Sequence, residues 1–277
     1  MRKGASVVVI LAVLVLFLPN RTIDPWHLLN LRKICGILLA LSVIQILGIA
    51  LSRYLGKRAT TLMTGFLSGL ISSTMATVAL ARKSHVHVHG GPSNETVGFL
   101  AATVAMLVEG LVVVLMGDLR KNVAVLPIFL LPLVMAGILI AFYNRKSSTP
   151  ELQLPTLEFQ LRPIMELSLF IVFILALSKI LLQAFGTSGL MVQTFATSLF
   201  EAHGAIIANV QLRDAGRVSP STFAILLSVS LAATFISKVT LVNFLGTPSM
   251  RKKVLKCTAG LVAALSLGWL STTVFTL

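Results

Sequence analysis

The sequence has little charge, and the charge that it has is one-sided. Only 12% of the 277 residues are charged, with 9 acidic against 23 basic, while 56% are hydrophobic. A soluble domain carries about a quarter charged residues, so this composition excludes an ordinary soluble enzyme or binding domain. The basic residues cluster at the ends of apolar runs, where membrane topology and anionic lipid headgroups explain them. We therefore expect a lipid bilayer as the partner, and no nucleic acid.

Cysteine and catalytic motifs are also scarce. Cys35 and Cys257 lie within or beside apolar runs, which excludes a disulfide framework and indicates packing thiols. Phosphate-binding loops, nucleophile elbows and zinc-protease helices are absent. We expect no enzymatic activity, no cofactor and no metal centre, although the alternating His85, His87 and His89 leave open a metal site as the alternative to a solvated loop.

What the sequence has in abundance is long apolar runs. A membrane-spanning helix needs about 20 mostly apolar residues. After a short first run at 7–18, which we interpret as a retained helix, eight such segments follow in two sets of four: 34–51, 62–81, 97–116 and 123–143, then 164–185, 190–212, 222–245 and 254–274. The pattern predicts an all-α polytopic membrane protein.

The two sets align as a weak internal repeat. Leu31-Arg32 matches Leu161-Arg162, and Ser68 matches Ser198. We expect one membrane domain over 1–277, in which 1–30 form an N-terminal helix and interfacial connector, 31–143 repeat 1, 144–162 a linker and 163–277 repeat 2. Duplicated halves that meet at a central site are a common plan of transporters.

The basic residues leave two topologies open. If every segment crosses, nine helices result, and the Lys and Arg outside the spans divide 11 to 10 between the two sides. If the second, polar segment of each repeat enters and leaves on the same side, seven helices cross, two segments are re-entrant or broken, and the division is 14 to 7. The second division follows the positive-inside tendency and makes the halves inverted.

Polar side chains concentrate in the second segment of each repeat. Ionisable groups at membrane depth are costly and usually face a protein interior or a hydrated cavity. On a continuous helix, Gln193, Glu201 and Asn209 would share one face, and Lys238 would be the natural partner of Glu201. A kink could bring His203 toward Glu201. The candidate ion- or solute-binding residues are Gln193, Thr197, Glu201, His203, Asn209, Thr234 and Lys238, with Ser72, Ser73, Thr74, Thr77 and Glu109 from the first half.

Three stretches carry a family resemblance. The segments LPNRTIDPW at 18–26, LNLRK at 29–33 and TGFLSGLISSTMATVALARKS at 64–84 resemble the C-terminal membrane domain of unknown function, numbered 4010, of MgtC/SapB family proteins. Longer members carry an N-terminal MgtC-like domain, which we do not expect in this chain. Glu201-Ala202-His203 stands where the family commonly has two aspartates flanking one residue, and Thr234 stands where asparagine is frequent, so a shared ligand does not transfer.

The resemblance implies a membrane location and a transport-type role, while the association with magnesium belongs to the missing domain. We expect an integral transporter or channel-like protein for an ion or small solute, with its site between the two repeats. The alternative is a non-transporting membrane partner or regulatory protein whose polar residues are structural. We expect a bacterial inner membrane, a cytoplasmic N-terminus and compatibility with a homo-oligomer.

Overall fold

The computed structural model describes residues 2–20, 30–55, 60–85, 93–144 and 161–275, and these residues form helices without a strand. The connector at 21–29, His87, His89 and most of the linker lie outside the described residues. The helices are α1 Arg2–Phe17, α2 Leu31–Leu55, α3 Thr61–Lys83, α4 Ser93–Met116, α5 Leu119–Asn122, α6 Pro127–Asn144, α7 Leu161–Phe200, α8 Ala202–Asp214, α9 Pro220–Leu245 and α10 Pro248–Phe275.

Seven of these helices are long and apolar enough to cross a membrane. Large apolar side chains cover the outside of the bundle; Phe200 is 81% exposed and Phe244 78%. Such a surface is stable against lipid and not against water. The prediction of an all-α polytopic membrane protein is confirmed.

Helix α7 reverses its direction at Gly186. This glycine has φ 58° and ψ −146°, a conformation that side chains other than glycine rarely adopt. After the reversal, Gln193 Nε2 donates a hydrogen bond to Ile174 O at 2.8 Å. A straight helix would hold these two residues about 28 Å apart. The residues before and after Gly186 therefore form two antiparallel arms, as the predicted separate segments 164–185 and 190–212 require.

Helix α3 doubles back at Ser72, whose φ of −165° and ψ of 106° interrupt the helix. Gly65 and Leu80 both lie against Gly98 of α4: a Cβ on Gly65 would come within 2.5 Å of Gly98 O, and a Cβ on Gly98 within 2.9 Å of Leu80 Cδ2. A straight helix would separate Gly65 from Leu80 by about 22 Å. We call the doubled-back α3, Thr61–Lys83, hairpin 1, with its tip at Ser72.

The second polar segment forms a matching hairpin. The helix breaks at Glu201, where φ is −144° and ψ is 101°. Thr194 Oγ1 donates to Asn209 Oδ1 at 3.3 Å across this break, so the arm that follows Gly186 and helix α8 lie side by side. We call residues 187–214 hairpin 2, with its tip at Glu201.

The base of hairpin 2 lies at one end of the bundle, which we call end A. Lys33 Nζ, at the start of α2, lies 2.6 Å from Asp214 Oδ2. The backbone N–H of Asp118, just after α4, donates to Asp214 Oδ1 at 3.0 Å. The start of α2, the end of α4 and the base of hairpin 2 therefore meet at end A.

The base of hairpin 1 lies at the opposite end, end B, where α9 passes into α10. Ser84 Oγ accepts a hydrogen bond from Thr247 N at 3.0 Å, and His85 Nε2 lies 3.2 Å from Leu245 O. Each hairpin therefore enters and leaves at one end, and the two enter from opposite ends. The alternative of nine plain crossings is wrong for the described chain, because both polar segments turn back inside the bundle. Whether the halves arose by duplication stays a prediction.

Helices α4 and α9 form the centre between the two hairpins. Helix α4 is the most deeply buried of the seven candidate spans, with 67% of its apolar stretch inside the bundle. Gly69 of hairpin 1 packs on α4 so closely that an added Cβ would lie 2.6 Å from Ala102 Cα. Each hairpin arm is about half as long as a spanning helix, so both tips lie near mid-depth beside α4 and α9.

Candidate functional site at the tip of the second hairpin

Glu201 forms the tip of hairpin 2 and caps the helix that follows it. Its Oε1 accepts a hydrogen bond from His203 N at 3.0 Å and lies 3.2 Å from His203 Nδ1. A carboxylate is favoured at the amino end of a helix because the first N–H groups and the helix dipole are positive there. Ser72 has the same role in hairpin 1, where its Oγ accepts from Met75 N at 3.3 Å.

This break makes one sequence prediction wrong. Gln193, Thr197, Glu201 and Asn209 do not lie on one continuous helical face, because the chain reverses at Glu201. Gln193 instead donates to the first arm of α7, and Thr197 Oγ1 donates to Gln193 O at 2.8 Å within its own arm. The predicted approach of His203 to Glu201 is found, but its cause is the turn at Glu201 rather than a kink at Gly204.

His203 lies between two carboxylates that come from different elements. Its Nε2 is 3.2 Å from Glu109 Oε2 of α4, and its Nδ1 is 3.2 Å from Glu201 Oε1. The exposed fraction of the side chain falls from 41% for Glu201 to 18% for His203 and 3% for Glu109. The three groups therefore form a line from an exposed carboxylate to a buried one, and Glu109 of the first half contacts His203 of the second half.

The predicted ion pair between Glu201 and Lys238 is wrong. Lys238 is only 1% exposed, and its Nζ donates to Thr103 Oγ1 of α4 at 3.5 Å. Lys238 therefore contacts α4, the helix that carries Glu109, whereas Glu201 contacts the start of α8 and His203. Thr103 was not among the predicted site residues, because a single threonine in an apolar helix usually bonds its own backbone. Thr103 does so as well, at 2.9 Å from Phe99 O.

Hydroxyl groups join hairpin 2 to α9. The Oγ atoms of Ser198 and Ser230 lie 2.6 Å apart, and Thr234 Oγ1 donates to Ser198 O at 3.2 Å and Ser230 O at 2.9 Å. Ser237 Oγ donates to Leu199 O at 2.7 Å. Thr234, a predicted site residue, is therefore a contact between helices.

The predicted residues of hairpin 1 are not brought to the charged cluster by any polar contact within the described chain. Ser73 and Thr77 are buried, and Thr77 Oγ1 donates to Ser73 O at 2.8 Å. Ser72 and Thr74 are half-buried. The charged part of the site therefore belongs to hairpin 2, α4 and α9, and hairpin 1 contributes a hydroxyl tip.

Several buried polar atoms around hairpin 2 have no hydrogen-bond partner in the protein. They are Glu109 Oε1, Gln193 Oε1, His203 Nε2, Asn209 Nδ2, Gln211 Nε2 and Arg213 Nε. Buried polar atoms are normally satisfied, so six of them on two packed elements indicate a polar lining. Gln193 and Asn209 are part of that lining, and their role in binding stays a prediction.

A family model described as Domain of unknown function (DUF4010) matches residues 39–246. The chain belongs to this DUF4010 family. No curated protein and no solved structure matches the chain. The matched range contains both hairpins and reaches the end of α9, so every member of the charged cluster lies inside the DUF4010 domain. The resemblance to the domain numbered 4010 is confirmed.

The DUF4010 domain thus encloses four ionisable side chains, Glu109, Glu201, His203 and Lys238, within a largely apolar bundle. Among the described residues, no group of three or more His, Cys, Asp or Glu side chains is arranged to hold a metal ion. The arrangement can hold and move protons, and it can offer amide and carboxylate oxygens to a polar solute.

Proposed function

We propose that this DUF4010 protein is an integral membrane transporter or channel-like protein for an ion or small solute. The observation that carries the proposal is the charged tip of hairpin 2, where Glu201 and His203 meet Glu109 at mid-depth of an apolar bundle. Ionisable groups in such surroundings cost several kcal/mol if they are left without compensation. A pathway that needs them explains their presence better than packing does.

The two hairpins support the same proposal. Broken or re-entrant helices are tolerated at membrane depth only where protein or water covers their free backbone groups. In many transporters they form the binding site near the midplane. Here hairpin 1 enters from end B and hairpin 2 from end A, so each tip ends where a solute from the opposite face would arrive.

The alternative is a non-transporting membrane partner or regulatory protein. The hydroxyl contacts between hairpin 2 and α9, such as Ser198 with Ser230, favour it, since they only hold helices together. The charged cluster favours transport, because a static contact would not need an accessible carboxylate in line with a buried one. Under either function we propose that the protein is not an enzyme.

We further propose a bacterial inner-membrane location with end B in the cytoplasm, because the basic residues assigned to that side number 14 against 7. This orientation places the N-terminus in the cytoplasm. A relation to MgtC/SapB proteins is part of the proposal, and a role in magnesium transport is not.

The test uses the full chain reconstituted in liposomes. Concentration jumps of sodium, potassium, ammonium, magnesium and phosphate salts, each against choline chloride, are applied on a solid-supported membrane, and the currents are recorded. We expect at least one salt to give a current with the wild type and none with Glu201→Gln, whose amide oxygen still caps α8 but carries no charge. Ser266→Ala, on the exposed face of α10, is the matched control and retains the current.

Thermal unfolding of the purified protein with each salt gives a second readout, since a bound solute raises the melting temperature. If no salt gives a current or a stabilisation, and Glu201→Gln only lowers the melting temperature, the transporter proposal fails. The non-transporting alternative then stands.

A further inference from the structure

If both carboxylates are ionised and the imidazole is neutral, His203 has one proton too few to satisfy both of its contacts. Both ring nitrogens lie 3.2 Å from a carboxylate oxygen; the contact of Nδ1 with Glu201 has hydrogen-bond geometry, and the contact of Nε2 with Glu109 is at ion-pair distance only. An ionised carboxylate only accepts hydrogen bonds, and a neutral imidazole has a single N–H. One of the two contacts would then set a lone pair against a negative oxygen. With one further proton, both nitrogens carry hydrogen and both contacts become attractive.

The net charge of the cluster also calls for one extra proton. Glu109 and Glu201 bring two negative charges when both are ionised, and Lys238 of α9, buried beside Thr103 of α4, brings one positive charge when it is protonated. One proton on His203 makes the total zero, which a buried site needs to avoid a large solvation cost. Helix α7 also packs on α8, but its Lys179 lies close to Gly186, at the opposite end of hairpin 2 from the tip.

A metal ion is not an equivalent occupant. The imidazole ring lies between Glu109 and Glu201, so the two carboxylates cannot converge on one cation. Among the described residues, no suitable set of three ligands exists elsewhere either. A proton needs no coordination shell, and it is the smallest cation that this geometry accepts.

Resting on the transport function proposed above, we propose that His203, held between Glu109 and Glu201, binds one proton whose uptake and release are coupled to movement of the solute. In the proposed cycle Glu201, the most exposed of the three groups at 41%, takes the proton from a hydrated path and passes it to the imidazole. The imidazolium then donates through Nδ1 to Glu201 and forms an ion pair through Nε2 with Glu109. No bond other than those to hydrogen changes.

The proton also affects the contact between the tip of hairpin 2 and α4. With it, the contact between His203 and Glu109 is an ion pair between the two elements. Without it, that ion pair is lost. Release of the proton therefore weakens the charged contact at the tip, while Ile206 and Val210 of α8 still pack beside Gly110 of α4 and Gly117 just after it.

The test observes the proton directly, with protons as the only probe. The full chain is labelled with ¹⁵N-histidine, placed in lipid nanodiscs, and its five imidazoles are followed by solid-state NMR at neutral pH. The His203 signal is identified by its loss in His203→Gln or, if that variant does not fold, by correlation of its ring nitrogens with glutamate carboxyl carbons. We expect both nitrogens of His203 to be protonated in the wild type.

The same spectrum of Glu109→Gln and of Glu201→Gln should show loss of the doubly protonated form, because each variant removes one negative charge and one obligate acceptor. Glu95→Gln is the matched control: Glu95 is another buried carboxylate of α4, 5% exposed, near end B, and its variant should keep the wild-type signal. A singly protonated His203 in the wild type, or a signal that neither variant changes, overturns the inference.

Coupling is measured in the same liposomes with the salt that gives a current. An imposed pH gradient should change the wild-type flux severalfold and leave the flux of His203→Gln unchanged. A flux that ignores the pH gradient overturns the coupling while the transporter proposal stands. If no salt moves at all, the transport function fails and the coupling fails with it, while the NMR result still decides whether His203 holds the proton.

Discussion

The two hairpins share a backbone design but differ in what holds them. Hairpin 1 turns at a serine and packs on α4 through glycines, with a Cβ on Gly65 only 2.5 Å from Gly98 O. Hairpin 2 turns at a glutamate and packs on α4 through side chains, with Ile206 and Val210 beside Gly110 of α4 and Gly117 just after it. At its tip it adds a charged contact, His203 with Glu109 at 3.2 Å. The first attachment is close packing of backbone on backbone, and the second combines side-chain packing with a contact that depends on protonation.

This difference suggests a division of labour. Packing of backbone on backbone has no equally good alternative arrangement, because interiors are dense and a shift of a few tenths of an ångström is felt throughout. A contact that depends on a proton changes from attractive to unfavourable when the proton leaves. We therefore expect hairpin 1 to act as the fixed element against which hairpin 2 moves.

The largest expected effect comes from filling the close contact of hairpin 1. In the double variant Gly65→Ala and Gly69→Ala, each new Cβ meets backbone atoms of α4 at 2.5 or 2.6 Å. Overpacking of this kind costs about 1–3 kcal/mol per site, so we expect a marked fall in the melting temperature of the purified protein. Gly137→Ala is the matched control, since nothing lies within 4 Å of its Cβ. It should be neutral or gain up to about 1 kcal/mol from helix propensity.

If the double variant were as stable as Gly137→Ala, hairpin 1 would not contact α4 in the way described. Hairpin 1 would then not be the fixed element of the pair. Thermal unfolding in the same detergent for all variants is sufficient to decide.

A smaller effect tests whether Glu109 or Glu201 is the carboxylate that interacts with Lys238. Double-mutant cycles combine Lys238→Met with Glu109→Gln and, separately, with Glu201→Gln. Neighbouring buried charges couple by about 0.5–3 kcal/mol, and Glu109 lies buried on α4, the helix that Lys238 reaches through Thr103. We expect the larger coupling energy with Glu109 and, since Glu201 interacts through the cluster only indirectly, roughly half of it or less with Glu201. The reverse order would restore the predicted pair.

The incorrect pairing of Glu201 with Lys238 shows which contacts the sequence could not predict. The segments were predictable, because a span of about 20 apolar residues is a property of local composition. Re-entry was indicated by the uneven 14 to 7 division of basic residues, which depends only on topology. The partners of Glu201 and Asn209 were not predictable, since a helical face assumes an unbroken helix and both depend on the reversal at the tip.

The break itself left a partial signal. Serine is a common helix N-cap, so the run Ser72-Ser73-Thr74 could have indicated a second helix start inside α3. Glutamate is a rare N-cap, and Glu201 therefore resembled one more member of a polar stripe. The Gly186 reversal was easier to expect, because it falls in the short interval between two predicted segments.

The smallest expected effect concerns the base of hairpin 2, where Asp214 holds two neighbours. Its side chain, 6% exposed, lies 2.6 Å from Lys33 Nζ and accepts from Asp118 N at 3.0 Å. Asp214→Asn keeps the size and an acceptor for Asp118 but removes the charge that Lys33 faces. Lys33 is itself 34% exposed, and solvent screens such a pair, so we expect a loss of about 1 kcal/mol in thermal unfolding.

Asp118→Asn is the matched control, because its contact with Lys121 at 3.3 Å is between two exposed side chains, and such pairs contribute little. If hairpin 2 moves as a unit, Asp214→Asn should also increase the labelling rate of a cysteine placed at Arg217, beside the base, more than Asp118→Asn does. Equal rates would mean that the base stays fixed whatever its charge. Movement would then be confined to the tip, between Glu201 and Glu109, where a single proton is sufficient to change the contact.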